Sequence, residues 1–211
     1  QALGTYQHAD YTINGNRHKT NVFAGKLHSD FILIEDEPLD ITSIAQSIAD
    51  GKIIGWYQGK SESGNRALGN RSILADPRNP NIKDIINSTI KKREDFRPFA
   101  PAVLEEHYKE YFDTNQPSPY MSRICKVKSD KVPGITHLDN TARIQTVNRE
   151  FNSKFYDLIN EFYKITGVPM LLNTSFNCRE PIVETPEQAF KTYQKTDLDI
   201  LVVNNKVFRK W

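Results

Sequence analysis

Hydrophobic residues along this chain recur in two patterns, one typical of amphipathic helices and the other of buried strands. Apolar positions three and four apart predict helices over 41–50, 81–93, 150–166 and 186–194, with Asp40 as the first N-cap and Gly51 ending that helix. Short apolar runs predict strands at 53–58, 99–104, 124–128, 144–147, 168–172, 200–203 and 206–209. Strands that alternate with helices predict an α/β fold, an open twisted mixed sheet with flanking helices.

Length and composition are those of an ordinary globular protein. The chain has 211 residues, of which 38% are hydrophobic and 26% are charged, which excludes a disordered or membrane-embedded protein. Its apolar runs are far shorter than a bilayer-spanning helix, and no secretory signal opens the chain. Cys125 and Cys178 have neither metal-site nor disulfide-framework spacing. We therefore expect a cytoplasmic protein without membrane contact.

Positive charge is concentrated in one part of the chain. The formal net charge is only +2, but residues 60–97 contain nine Lys or Arg against five Asp or Glu, a local balance of +4. Such a segment suits an anionic partner, either a nucleotide or a nucleic acid. A solvated basic face explains the charge alone more simply, so the motifs within the segment carry the argument.

The first motif is a glycine-punctuated loop, QGKSESGNRALGNRS at 58–72, directly after a predicted strand. Glycines allow backbone amides to approach phosphates closely, and Lys60, Arg66 and Arg71 would add charge-assisted hydrogen bonds. The GKS triplet is that of a Walker A loop, but Ile54 stands where that pattern requires glycine. A phosphate-binding loop of another kind and a hairpin loop with solvated cations both remain open.

The second motif lies at the end of a predicted helix, in KKREDFRPFAP. Lys91 and Arg93 in the last turn complement the helix dipole, which explains part of the cluster without any ligand. Arg97 lies between Phe96 and Phe99, and a guanidinium group among aromatic rings is usually held for a purpose.

The third motif is HLDNTARIQTV at 137–147. Thr141 and Arg143 lie at the entrance of a predicted strand, where side chains from neighbouring strands converge. His137 and Asp139 are too few to bind a metal ion, and a histidine near a turn is more often a surface hydrogen-bonding group. We therefore expect no metal site here.

The fourth motif is LLNTSFNCREP at 171–181, in which a buried strand leads directly into polar residues. Asn173, Thr174, Ser175 and Asn177 would lie just beyond the carboxyl end of that strand, the usual ligand crevice of open α/β sheets. No G-x-S-x-G elbow encloses the serine, so its hydroxyl is predicted to orient a ligand rather than attack it.

In this order, the four motifs resemble the carbamoyltransferase family that modifies antibiotics and nodulation factors, and more narrowly its C-terminal YrdC-like domain. The matching strings are QGKSESGNRALGNRSILADPR, KKREDFRPFAP, HLDNTARIQTV and NTSFNCREPIVETPEQA. The resemblance extends from about residue 40 to the C-terminus. The chain departs from the family pattern at three points: Asn65 replaces proline, Asn140 replaces glycine, and a glycine after Asn177 is missing.

The resemblance implies an α/β, YrdC-like domain with a concave basic cavity for ATP and a carbamoyl source. In the family, carbamoyl phosphate and ATP give carbamoyl-adenylate and pyrophosphate, with Mg²⁺ on the phosphates. An actin-like domain, of the same protein or a partner chain, then transfers the carbamoyl group to a hydroxyl acceptor. Residues 1–35 would be the segment connecting to that domain, and residues 36–211 the YrdC-like domain.

The resemblance also assigns roles to individual residues, since K-x-R and S-x-N are YrdC-like signatures. It implies catalytic roles for Lys91, Arg93, Arg143 and Ser175. It implies binding of ATP or carbamoyl phosphate by Lys60, Arg66, Arg71, Arg97, Thr141, Thr174 and Asn177, with no metal site formed by the protein.

Two other functions fit the same features. A stand-alone YrdC-like enzyme would make threonylcarbamoyl-adenylate for tRNA modification, although the strings RALGNRSILADPR and NTSFN favour the carbamoyltransferase branch. A noncatalytic nucleic-acid-binding module would use the basic cavity as a platform. Only Phe96 and Phe99 interleave with the basic cluster, and because such modules rely on stacking aromatics, we do not expect nucleic acid as a partner.

Overall fold

Helices and strands alternate along the chain as the hydrophobic pattern predicts. The computed structural model describes residues 37–94 and 97–210, so the predicted connecting segment 1–35 lies outside the described residues. Strands β1 to β9 span Glu37–Pro38, Ile54–Tyr57, Arg71–Ala75, Ala100–Leu104, Arg123–Lys126, Thr141–Val147, Met170–Ser175, Ile200–Val203 and Lys206–Arg209. Helices α1 to α5 span Ile41–Ala49, Ile82–Ile85, Tyr108–Tyr111, Ser153–Thr166 and Pro186–Lys195; a π-helical segment, Ile86–Lys91, continues α2, and a 3-10 turn covers Pro133–Ile135.

The described strands form one open mixed sheet in the order β1-β9-β8-β2-β3-β7-β4-β6-β5. The β2–β8 and β4–β6 pairs are parallel and the other pairs are antiparallel. Strands β2, β3, β4 and β8 are buried along their whole length, which explains their continuous apolar runs. Helix α1 packs on α4, α4 on β7 and β4, and α5 on β8 and β2.

The strand directions decide where the polar motifs meet. Strand β7 is antiparallel to both neighbours, so its last residue, Ser175, pairs with Ser72 near the start of β3, and Asn173 pairs with Ala100 at the start of β4. Strand β6 is parallel to β4, which brings its first residues to the same edge. The carboxyl end of β7 therefore meets the amino ends of β3, β4 and β6.

Side-chain caps explain why the long helices begin where they do. The carboxylate of Asp40 accepts a hydrogen bond from the backbone N–H of Thr42 at the start of α1, as predicted. Asn152 caps α4 in the same way, and Thr185 forms a reciprocal capping box with Gln188 at the start of α5. These caps fix the helix starts independently of the core.

Several local features differ from the sequence-based expectations. Asn173, Thr174 and Ser175 were expected just beyond a strand over 168–172, but β7 spans Met170–Ser175 and includes them. The glycine-rich loop was expected to continue through Ser72, but β3 already begins at Arg71 and is fully buried. The helix expected over 81–93 contains only a short α-helix followed by the π-helical segment. Such wide turns frequently occur at functional sites, and this one ends at Lys91.

The described residues contain no helix that is long and apolar enough to cross a membrane.

Replacement of Gly69 by alanine is expected to lower the free energy of unfolding by at least about 2 kcal/mol. Gly69 has a φ of +110°, and an added Cβ would lie 2.2 Å from Cδ1 of Phe155 on α4. Gly64 in the same loop is the matched control, because its Cβ would meet no heavy atom within 4 Å. Urea unfolding of both variants checks this, and equal stability of G69A and G64A would contradict the described loop.

Candidate active site

A cavity of about 210 Å³ lies at the edge where β7 meets the starts of β4 and β6. Its wall is formed by the loop after β2, the segment before β4, the approach to β5 and β6, and the end of β7. The lining residues are Asn65, Arg66, Ala67, Arg93, Pro98, Phe99, Ala100, Met121, His137, Arg143, Asn173, Thr174 and Ser175. All four motifs contribute to this wall, although they are far apart in the sequence.

The charged side chains in the cavity wall are the guanidinium groups of Arg66, Arg93 and Arg143. The Nε of Arg93 donates to Oδ1 of Asn87 at 2.8 Å, and its guanidinium lies 5.1 Å from the centroid of the Phe99 ring. Burial lowers the pKa of Arg93, and the nearby charge of Arg97 lowers it further. Among the residues that the structure describes, the cavity wall therefore contains several positive charges and no carboxylate, an environment that attracts anions.

Lys91 lies behind this wall, fully buried, in a cage of oxygen atoms. Its ammonium group donates to the carbonyl and hydroxyl oxygens of Ser175, and to the backbone and side-chain oxygens of Asn177, at 2.5–3.2 Å. Burial lowers the pKa of Lys91 to about 7, and the charge of Arg93 contributes to the same direction. Because all its donors face protein oxygens, Lys91 holds the loop after β7 in place.

The loop after β7 is also held in place by one of its own residues, Glu180. Its carboxylate accepts hydrogen bonds from the backbone N–H groups of Cys178 and Arg179 and from the Thr192 hydroxyl, and forms a 2.8 Å ion pair with Lys195. Burial alone would raise the pKa of Glu180, but these partners outweigh it and lower the pKa to about 2. The loop is thereby fixed to α5.

Ser175 is an orienting group in this arrangement. Its hydroxyl donates to Oδ1 of Asn177 at 2.8 Å and accepts from Lys91 at 3.2 Å. Lys91, whose pKa burial lowers to about 7, contacts this hydroxyl as a hydrogen-bond donor. A part in binding rather than that of an activated nucleophile stays a prediction for Ser175.

His137 is partly buried and lines the cavity. Its Nδ1 lies 3.2 Å from the Thr141 hydroxyl, which in turn lies 2.6 Å from the Asp139 carboxylate. Thr141 itself, a predicted ligand, is not among the lining residues and contacts His137 instead.

Four other predicted ligands lie outside the cavity wall: Asn177, whose side chain accepts from Lys91, and Arg71, Lys60 and Arg97. The guanidinium of Arg71 lies 3.6 Å from the Tyr57 ring centroid and donates to the backbone carbonyls of Gln58, Gly59, Asn70 and Glu184. Both of its terminal nitrogens therefore hold the glycine-rich loop. Lys60 is exposed, and Arg97 is exposed with a 3.1 Å ion pair to Glu94. The assignment of these residues to ATP stays a prediction.

A comparison with known families decides where this domain belongs. Residues 45–210 match the model of the carbamoyltransferase C-terminus. The chain belongs to the carbamoyltransferase family. The domain has the YrdC-like fold that the resemblance implied.

Relatives of the carbamoyltransferase domain include two nodulation proteins. NolNO of Sinorhizobium fredii (strain NBRC 101917 / NGR234) is 53% identical over 173 residues, covering 79% of this chain and 25% of NolNO. NolO of Bradyrhizobium diazoefficiens is 51% identical over 176 residues, covering 80% of this chain and 32% of NolO. The chain thus spans between a quarter and a third of these relatives.

Solved structures with the same fold are much more distant in sequence. HypF, solved with phosphate and nucleotide bound, superposes with a TM-score of 0.58 at 20% identity over 81% of this chain and 25% of HypF. Sua5 of P. abyssi, solved with L-threonine, gives 0.55 at 16% identity over 81% of this chain and 49% of Sua5. Escherichia coli YciO gives 0.53 at 16% identity, covering 80% and 81% of the two chains.

Sequence reasoning missed several residues on which the carbamoyltransferase cavity depends. His137 was interpreted as a surface group, yet it lines the cavity. Buried Asn87 joins Arg93 to the backbone carbonyl of Arg97, and Glu180 was not singled out at all. A buried Asn in an otherwise apolar helix face was a usable signal, because it implies hydrogen-bond partners; Glu180 gave none.

Replacement of Lys91 by methionine is expected to lower the free energy of unfolding by about 3 kcal/mol, because it leaves four oxygens of a buried cage without a donor. Lys92→Met is the matched control, since Lys92 is exposed and should change stability by less than about 0.5 kcal/mol. Urea unfolding measures both. A K91M protein as stable as K92M would contradict the cage.

The low pKa of Glu180 predicts a specific pH dependence of stability. Its folded pKa of about 2 lies below the ordinary glutamate value of 4.5, so the carboxylate stabilises the fold above pH 4.5 and this contribution disappears as pH falls toward 2. Relative to wild type, Glu180→Gln should therefore be destabilised at pH 6, with the difference shrinking between pH 4.5 and 2. Denaturant unfolding across this range checks it, and a constant difference would be the contrary result.

Proposed function

We propose that this domain activates a carbamoyl group with ATP. Water would first hydrolyse carbamoyl phosphate to carbamate and phosphate. The carbamate oxygen would then attack the α-phosphorus of ATP and displace pyrophosphate, giving carbamoyl-adenylate. The observation that carries the proposal is the convergence of Arg66, Arg93 and Arg143 with the Ser175 loop around one cavity, in a family whose activity is carbamoyl transfer.

The chemistry of the cavity suits such a reaction. Attack at phosphorus develops charge on phosphate oxygens, so the reaction needs positioning and positive charge more than a covalent nucleophile. Arg66, Arg93 and Arg143 would supply that charge, and Thr174 and Ser175 would orient the carbamoyl end. At about 210 Å³, the cavity is smaller than the roughly 300–1,000 Å³ of pockets that enclose a drug-sized ligand. It suits carbamoyl phosphate and part of a phosphate chain.

Magnesium fits this proposal only as a companion of ATP. The described residues contain no group of three or more His, Cys, Asp or Glu side chains that would hold a metal ion. Mg²⁺ would therefore be bound through the nucleotide phosphates, where it offsets their charge. No residue of this chain is assigned to it.

Completion of the reaction would fall to another domain. Because the chain spans only a quarter to a third of NolNO and NolO, we propose that carbamoyl-adenylate passes to an actin-like domain of the same protein or of a partner chain. That domain would transfer the carbamoyl group to a hydroxyl acceptor and would determine which acceptor is used.

Exchange of labelled pyrophosphate into ATP tests the activation step directly. Exchange is expected with purified protein only when carbamoyl phosphate is present, and it should weaken in Ser175→Ala because the loop after β7 loses an orienting hydroxyl. Exchange without carbamoyl phosphate, or none at all despite measurable ATP binding, would count against activation by this domain.

Replacement of Arg143 by alanine should weaken carbamoyl phosphate binding about 10- to 100-fold, since a charge-assisted hydrogen bond contributes about 1.5–3 kcal/mol. Arg149→Ala is the matched control: that arginine is exposed, lies 3.3 Å from Asp157 and is not among the lining residues. Calorimetric titration compares the two, with thermal unfolding as a check on folding. Equal affinity in R143A and R149A would remove Arg143 from the site.

A further inference from the structure

The cavity wall contains two buried polar atoms that have no hydrogen-bond partner among the described residues. They are Oδ1 of Asn173 and Nε2 of His137, and both residues line the same cavity. Buried polar atoms are nearly always paired, so each such exception calls for an explanation. Two of them in the wall of one cavity point to a ligand.

The orientation of the Asn173 amide is fixed by its neighbours. Its Nδ2 donates to Oε1 of Gln145 at 2.8 Å and to the carbonyl of Ala67 at 3.1 Å. Gln145 cannot be turned around, because its own Nε2 donates to the carbonyl of Leu68 at 2.8 Å. Since both Asn173 amide hydrogens are used, Oδ1 is an acceptor without a donor, on a residue that is only 1% exposed.

The hydrogen bonds around His137 assign its second ring nitrogen as an acceptor. Thr141 has a single hydroxyl proton, which it donates to the Asp139 carboxylate at 2.6 Å. Because the Thr141 oxygen can then only accept, we assign the proton of the neutral imidazole to Nδ1, 3.2 Å away, which leaves Nε2 with a lone pair.

The surroundings of His137 favour this neutral form. Burial lowers the pKa of the ring, and the charges of Lys83 and Arg143 act in the same direction, whereas Asp139 and the backbone carbonyl of Phe99 oppose it. Burial and the two cations together outweigh Asp139 and the Phe99 carbonyl, so the pKa of His137 is lowered.

The cavity thus combines cationic donors with two unpaired acceptors. The guanidinium groups of Arg66, Arg93 and Arg143 would attract an anion, while Oδ1 of Asn173 and Nε2 of His137 could accept N–H groups of the same ligand. We propose that Asn173 Oδ1 and His137 Nε2 receive the two N–H groups of a carbamoyl amine, and thereby select carbamoyl phosphate against acyl phosphates that lack N–H donors. This inference rests on the proposed function and adds to it a specificity determinant.

Acetyl phosphate is the matched probe, because it replaces the amine of carbamoyl phosphate by a methyl group of similar size. With acetyl phosphate bound, both acceptors would stay buried and unpaired, which is the situation in which polar sites reject an analogue most strongly. Calorimetric titration of the whole chain with each compound should give at least about 100-fold tighter binding of carbamoyl phosphate. Equal binding would overturn this inference and leave carbamoyl activation intact, whereas binding of neither would remove both.

Variants then test the two residues. In Asn173→Ala and in His137→Phe, which keeps an aromatic ring without the acceptor, the affinity ratio should fall at least tenfold. Ser175→Ala is the control that should weaken both compounds alike and preserve the ratio. An unchanged ratio in a folded variant would remove that residue from the proposal.

One measurement needs no substitution, in case Asn173→Ala does not fold. In ¹⁵N-labelled wild-type protein, the Asn173 side-chain amide resonance should shift when carbamoyl phosphate binds and should shift far less with acetyl phosphate. Identical shifts with both compounds would contradict hydrogen bonding to Oδ1.

Discussion

The ammonium group of Lys91, enclosed by oxygen atoms of Ser175 and Asn177, joins two segments that lie more than 80 residues apart in the chain. Removing a charge from water is costly unless polar groups replace its hydration shell. The loop after β7 must therefore keep its carbonyl and side-chain oxygens turned inward. Arg93 lies only two residues after Lys91, so the same interaction also positions the Arg93 guanidinium in the cavity wall.

The cations of this carbamoyltransferase domain divide into two groups with different physical roles. The ammonium of Lys91 and the two terminal nitrogens of Arg71 donate to protein oxygens and hold loops together, whereas Nε of Arg71 is buried without a partner among the described residues. Arg66, Arg93 and Arg143 line the cavity, where a bound anion would offset their charge. Buried cations thus hold the framework together, and the cations of the cavity wall remain available to bind a ligand.

The departure from the family pattern after Asn177 is accommodated locally. The loop lacks a glycine, yet the carboxylate of Glu180 accepts hydrogen bonds from the backbone N–H groups of both Cys178 and Arg179. The Arg179 side chain reaches back to the carbonyl of Lys92 at 3.1 Å, at the end of the π-helical segment. The shortened loop is thereby tied both to α5 and to the segment that carries Arg93.

The sequence by itself determined the family, the identity of the four motifs and most of the long elements. Apolar spacing predicted α1, α4 and α5 and the buried strands other than β3, because burial of one face imposes a period that a single segment already displays. It did not predict β1, β3 or α3, and it placed Asn173, Thr174 and Ser175 beyond a strand that includes them. Short elements and strand ends depend on pairing with distant segments, which local spacing does not show.

Only the tertiary structure decided which of those side chains share a cavity. Arg66 and Arg71 have the same chemistry and lie in one sequence motif, but Arg66 lines the cavity and Arg71, at the start of β3, packs on Tyr57. Nothing in local spacing separates them, since burial depends on what other strands and loops bring close. The partner of Lys91 and the unpaired acceptor of Asn173 likewise depend on contacts between distant segments, and hydrogen-bond satisfaction is a property of the assembled fold.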